Sequence, residues 1–224
     1  FRDLAIIAAV NTLLAGAAGG ISAMFYMWWF GPSKKPDPAM SVNGVLAGLV
    51  AITAPCAFVD TWAAVVIGLI AGVLVAVATF ALEKLRIDDP VGAAPVHMVN
   101  GAWGVLAVGI FANGNPLTAA WNGVATPVTG LLYGSSTQII AQLVEVGAAF
   151  VTVFVFGFVF FKVLNAIGIL RSKPEDELAG LDMPEMGVVG YTNDDVVMHG
   201  GLPGPRFKGS TSALRSAATT VLPH

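Results

Sequence analysis

The chain has 224 residues, 56% of them hydrophobic and only 11% charged, with a mean hydropathy of +0.78. A water-soluble domain could hardly cover itself with that little polar surface, so the composition points to a membrane protein. The net charge of −3 comes without a basic stripe, which argues against a nucleic-acid partner, and a single cysteine, Cys56, leaves no intramolecular disulfide and no CxxC metal site.

In chain order, five apolar segments are long enough, or nearly so, to cross a hydrocarbon core about 30 Å thick as helices. They fall near residues 4–30, 41–58, 62–84, 91–112 and 136–168, and define an all-α polytopic architecture. The chain opens on Phe1, and apolar helix begins almost at once without a signal-peptide pattern, so more protein is expected upstream. Phe25, Tyr26, Trp28, Trp29 and Phe30 close the first span as an interfacial aromatic belt. Gly44 and Gly48, Gly68 and Gly72, and the run "LLAGAAGG" carry the small-xxx-small spacing that lets helix backbones approach closely in a bilayer. Lys34 and Lys35 fall in the first connection, Lys84 and Arg86 in the third, and Arg171 and Lys173 after the fifth span, whereas the second and fourth connections hold no Lys or Arg. The positive-inside rule then puts the basic connections and the C-terminus in the cytoplasm, and the start of the first span outside.

The stretch "IDDPVGAAPVHMVNGAWG" interrupts this pattern. Asp88 and Asp89 before Pro90 read as a helix cap: an N-cap carboxylate, proline at the first helical position, and negative charge at the positive end of the helix dipole. His97 follows Asp89 by eight residues. At 1.5 Å per residue that is roughly 12 Å into the membrane, where an ionisable side chain faces a bundle interior or a pore and is a functional candidate by default. The competing reading is a neutral core histidine satisfied by a neighbouring carbonyl. Ala93 lies one turn before His97 on the same face, and Gly92, Ala94 and Gly101 are also small, so something narrow could pass beside the imidazole. Pro95 removes a backbone hydrogen bond inside the span, a defect tolerated when a neighbouring group or a cavity serves the freed carbonyl. His199 and His224 lie in the polar tail, so a metal site within this chain is not expected, and no cofactor is implied.

"DDPVGAAPVHMVNGAWGVLAVGIF" resembles the signature of the tenth helix of the ammonium transporter family (Amt/Mep/Rh), and the resemblance runs through "NGVLAGLVAITAP" to "LRSKPEDELAGLD", about residues 8 to 191. It implies that the five spans are the seventh to eleventh helices of an eleven-helix fold built on inverted repeats. It further implies ammonium or ammonia passage through an apolar pore in each subunit of a homotrimer in the plasma membrane, with a PII-type signalling protein as a cytoplasmic partner. On the same resemblance His97 is the second member of a pore histidine pair. The sequence departs from the family pattern at Gly92, where many relatives carry a second acidic residue, and at Met186 and Val188, where the tail of relatives has His and Glu.

The expected organisation is a transmembrane part over 1–170, a regulatory tail over 171–191, and a polar, disordered extension over 192–224. In the tail, Leu178, Leu181, Met183 and Met186 could supply apolar docking contacts. Two rival functions stay open: an ammonium sensor that uses the same fold to signal to a cytoplasmic partner, and a membrane-embedded enzyme. The enzyme finds little support, since Glu145 and Cys56 lie on different helices without partners at helical spacing. Glu145 reads as a buried packing or interhelical hydrogen-bonding residue; Asp60, near the outer mouth, could help attract cations, although a lone loop aspartate is usually just solvated.

Overall fold

The computed structural model of the chain describes residues 2–118 and 126–188. The expected disordered extension over 192–224, with His199 and His224, lies outside the described residues. The chain divides into two compact units, residues 1–158 and 159–224.

In the first unit α1 (Arg2–Phe30), α2 (Pro38–Thr53) and α3 (Thr61–Lys84) pack around one another. Their contact is built from small residues: Ala15, Ala47, Ala51, Ala63, Ala64, Ala71 and Ala76 are fully buried, with Ile52, Ile67 and Val75 as the larger fillers. Two glycines show why small residues are needed there. A Cβ on Gly48 of α2 or on Gly68 of α3 would run into the same backbone atom, the Ala15 carbonyl oxygen of α1. The three backbones therefore approach at van der Waals distance, which supplies dispersion contact where the lipid leaves little hydrophobic drive between helices.

Helix ends follow local chemistry. Pro38 opens α2 and the Asp37 carboxylate accepts from the Met40 N–H at 2.9 Å, so this helix starts three residues before the expected 41. It also ends earlier than the expected 58, because Pro55 has no N–H to offer the Ala51 carbonyl four residues back, leaving 16 helical residues followed by a turn. At 1.5 Å per residue α2 is about 24 Å long, short of a full hydrocarbon core. Four helical stretches are long and apolar enough to cross a membrane among the described residues: Arg2–Phe30, Thr61–Lys84, Ala94–Phe111 and Thr137–Ala166.

α3 stops at a Schellman motif, with Ile87 N–H donating to Leu82 O and Arg86 N–H to Glu83 O, both at 3.0 Å. Arg86 takes the left-handed conformation (φ 57°) that glycine usually supplies there, and turns the chain back toward the helices it has just left. The fourth span then begins as a π-turn, Ala94–Val99, and continues as α4, Asn100–Phe111. α5 (Thr137–Ala166) follows a short 3₁₀ turn at Leu131–Tyr133. Its part in the first unit buries only Gln142 and exposes a stacked ladder of Phe150, Phe154 and Phe158.

In the second unit α5 ends at another Schellman motif, Ile169 N–H to Leu164 O and Gly168 N–H to Asn165 O, both 3.2 Å, with Gly168 at φ +76°. A short helix α6 (Pro174–Ala179) and a π-turn, Asp182–Met186, follow. Leu178, Met183 and Met186 are exposed there, as is Leu181 at the margin.

Candidate functional site

The segment between α3 and α4 departs from regular helix within the apolar part of the chain. Asp89 folds its carboxylate under the following turn: Oδ1 accepts from the Ala93 N–H and Oδ2 from the Ala94 N–H, both at 2.8 Å. Gly92, at φ +73°, lets the chain bend for this forked cap, which serves two of the N–H groups that any helix start leaves open. The sequence expectation placed Pro90 at the first helical position. Pro90 instead lies in the turn before the helix, three residues ahead of Ala93, and Asp88 is exposed beside it. The capping work falls to Asp89, across four and five residues rather than the usual two or three.

That displacement changes how depth is reckoned. A Cβ on Gly92 would sit 3.0 Å from Asn43 Nδ2 and 4.0 Å from Thr79 Oγ1. Asn43 is five residues past the start of α2 and Thr79 five before the end of α3, so both lie about 7.5 Å inside the lysine-bearing helix ends. The non-helical stretch thus dips into the apolar layer, and His97, a further five residues on, reaches about 15 Å, close to the midplane of a core about 30 Å thick. Trp103 marks the next level, its Nε1 donating to the Ile67 carbonyl at 3.2 Å. Irregular backbone at such depth needs polar partners or a cavity. A cavity of about 270 Å³ adjoins it, lined by Thr79, Glu83, Asp88, Asp89, Gly92 and Pro95 among others.

Two asparagines repair the defects in this segment. Pro95 has no N–H to offer the Val91 carbonyl four residues back, and Asn43 of α2 donates to that carbonyl in its place at 3.2 Å. At the upper end of the π-turn, Asn100 Nδ2 donates to the Pro95 carbonyl at 2.9 Å, while the Asn100 backbone N–H goes to His97 O. Sequence reasoning found the proline and missed both amides. A polar side chain inside an apolar window was the available signal, but which carbonyl it serves depends on the tertiary fold.

The turn sorts its side chains onto two faces. Pro95, Val96 and Asn100 are buried against α2 and α3, whereas Ala93, His97 and Met98 are exposed and Ala94 and Gly101 partly so. His97 is therefore not a core histidine of this chain. Its imidazole stands on an uncovered face at mid-span with the small Ala93 one turn away, free to use a ring N–H donor and a ring nitrogen acceptor.

At the opposite end of the unit Asp60 is bound rather than solvated. Its carboxylate accepts from Asn113 Nδ2 at 2.8 Å and from the Tyr133 hydroxyl at 2.6 Å. The Tyr133 and then the Asn113 hydrogen bonds hold the Asp60 carboxyl below its ordinary range, and the same bond pushes the Tyr133 phenol up. Nearby, Asn11 Nδ2 donates to Cys56 O at 2.8 Å and Val59 O at 2.9 Å, pinning the turn between α2 and α3. Glu145, expected to be buried, is exposed; it accepts from Gln142 at 2.9 Å when that amide is oriented to satisfy its neighbours, and the interhelical bond is Gln142's own, to Val105 O at 3.2 Å.

A bundle of apolar helices joined at glycine contacts, with an interrupted span presenting a mid-depth histidine, defines a polytopic membrane protein whose polar feature lies inside the apolar layer. Comparison with known proteins makes the class specific: the Ammonium Transporter Family pattern matches residues 2–191, and the chain belongs to that family. It is similar to the ammonium transporter Amt2 of Archaeoglobus fulgidus, 46% identical over 187 residues that cover 84% of this chain and 39% of that protein. It is 35% identical to the ammonium transporter of Bacillus subtilis over 189 residues, covering 84% of this chain and 45% of that one. Among solved structures it resembles a Sensor Amt Protein (TM-score 0.68, 35% identity, 80% of this chain and 41% of that) and Saccharomyces cerevisiae Mep2 (TM-score 0.69, 30% identity, 77% and 38%). The chain spans roughly two-fifths of the length of these proteins, and the Archaeoglobus fulgidus and Bacillus subtilis relatives are named as transporters, not as enzymes.

Proposed function

We propose that this chain supplies one wall of an ammonium/ammonia-conducting pore, with His97 and Ala93 lining it, in a multi-pass protein of the plasma membrane. The observation that carries the reading is the exposed His97 imidazole at mid-span. An ionisable side chain is costly at that depth unless it faces a polar path, and a lipid-facing position would leave its ring nitrogens without partners. An imidazole in its neutral form can both donate to and accept from ammonia, and the small Ala93 leaves room for a molecule of that size. Asp89 acts as the cap that places the turn, with Pro90 shaping the bend before it and Asp88 at its exposed edge. The lysine-bearing ends and the C-terminus lie in the cytoplasm, three copies assemble with one pore each, and the exposed methionines and leucines of the tail offer a surface for a PII-type signalling protein.

A second reading, an ammonium sensor, draws on one observation: a solved structure named as a Sensor Amt Protein is 35% identical to this chain. The reading of His97 is compatible with either function. In the full-length protein, His97→Ala should abolish or change the preference for ammonium over methylammonium without loss of trimer. Uptake and selectivity equal to those of the unaltered protein, at matched expression, would overturn the pore assignment.

A further inference from the structure

Asn100 is a fully buried amide in a span made otherwise, His97 apart, of apolar and small residues, and it closes the turn around His97. Its backbone N–H reaches back three residues to His97 O, and its side-chain Nδ2 reaches back five residues to Pro95 O at 2.9 Å. In an uninterrupted α-helix the backbone N–H at 100 would serve the carbonyl of residue 96. Here the end of the turn also reaches His97 O, and the side chain adds a donor to the carbonyl five residues back. The arrangement has a cost: Asn100 Oδ1 is buried and has no hydrogen-bond partner among the described residues. A purely space-filling position would be better served by leucine, which is of similar size and brings no orphaned acceptor.

We infer that Asn100 is a positioning residue for His97: its amide fixes the end of the π-turn and thereby the direction in which the imidazole leaves the helix. The inference rests on the pore reading of His97 and adds to it the residue that sets the ring's azimuth. Pro95 fixes the lower side of the same turn, since its lost bond is made good by Asn43 from α2. These two amides act on the buried side of the turn, where Pro95, Val96 and Asn100 lie, while His97 stands on the uncovered face. Loss of the Asn100 amide removes the side-chain donor to the Pro95 carbonyl and loosens the upper end of the turn. A loosened end lets the turn re-form and swings the ring.

The test uses the full-length transporter in membranes, with Asn100→Leu, His97→Ala and the double variant, each measured for the ammonium-to-methylammonium transport ratio, for trimer content and for thermal unfolding. The expected result is a trimer of near-normal stability in N100L whose ratio shifts toward that of H97A by about tenfold or more, the scale that a displacement of about 1 Å at a working group brings. In the double variant the ratio should equal that of H97A alone, because the amide acts through the ring. A normal ratio in N100L beside an altered one in H97A overturns the Asn100 assignment and leaves the pore reading standing. An N100L effect that adds to H97A also overturns it, by showing a general packing role. A normal ratio in H97A overturns the pore reading itself and this inference with it. Should N100L fail to assemble, Asn100→Ser, which removes the amide without added bulk, decides the matter on the same readouts.

Discussion

Removing the Asp89 carboxylate tests the forked cap on which the interrupted span rests. In Asp89→Ala both 2.8 Å bonds, to the N–H groups of Ala93 and Ala94, are lost at once. Hydrogen bonds to a charged acceptor contribute about 1.5–3 kcal/mol each, and loss of an ordinary N-cap costs about 0.5–2 kcal/mol. Asp89 is only partly buried, so water can reach one side of the cap and the lower part of each range applies. The expected loss in D89A is therefore about 2–3 kcal/mol. Asp89→Asn retains one acceptor oxygen but turns an NH₂ toward the second N–H, so it should lose at least half of that amount. The assay is equilibrium unfolding of the purified full-length protein in detergent with graded denaturing surfactant, comparing midpoints at constant slope. A D89A protein as stable as the unaltered one would show that the fork contributes nothing and that the start of the span is held by packing. D89N equal to the unaltered protein would show that one acceptor suffices.

Three further outcomes follow from other parts of the chain. Tyr133→Phe removes the largest cause of the lowered Asp60 pKa. A lowered folded-state pKa stabilises above the ordinary carboxylate range and that contribution is lost as pH falls through the depressed value, so Y133F should be less stable near neutrality and the gap should close in acid; a gap that widens as pH falls would refute the assignment. Gly68→Ala places a Cβ against the Ala15 backbone rather than a movable side chain, and should cost at least the roughly 1–3 kcal/mol typical of overpacking, seen as reduced trimer yield; normal yield would mean that α1 and α3 can separate freely. Truncation after Leu170 should lower transport severely whereas truncation after Tyr191 should not, and equal transport by the two at matched expression would show that the intervening tail does not control the pore.

Much of the helix layout was legible from apolar windows alone: the limits of α1, α3 and α5 lie within two residues of those expected at every end. The windows failed where proline and capping chemistry outrank hydropathy. Residues 54–58 are apolar enough to extend α2, yet Pro55 stops the helix, and residues 91 and 92 look like the start of a span, yet Asp89 and Gly92 hold them out of it. His97 was visible because an ionisable residue in an apolar run is conspicuous in one dimension. Its surroundings were not, since Asn43 reaches Val91 across 48 residues and Tyr133 reaches Asp60 across 73.

The asparagines show why such partners escape a linear reading. Asn11, Asn43, Asn100 and Asn113 serve the turn between α2 and α3, the gap left by Pro95, the end of the π-turn and the Asp60 carboxylate. Each lies near a place where the backbone leaves regular helix; Asn11, Asn43 and Asn100 send an amide N–H to a backbone carbonyl there, and Asn113 to the Asp60 carboxylate. A bilayer offers no water to such acceptors, so a span can depart from helix only where a side chain or a cavity stands in for water. A short, uncharged amide does this without the desolvation cost of a charge. The departure near residues 87–99 needs two of these amides and the Asp89 fork. What it achieves is an imidazole at mid-depth that faces away from its own helix bundle, a geometry that packing alone would not maintain.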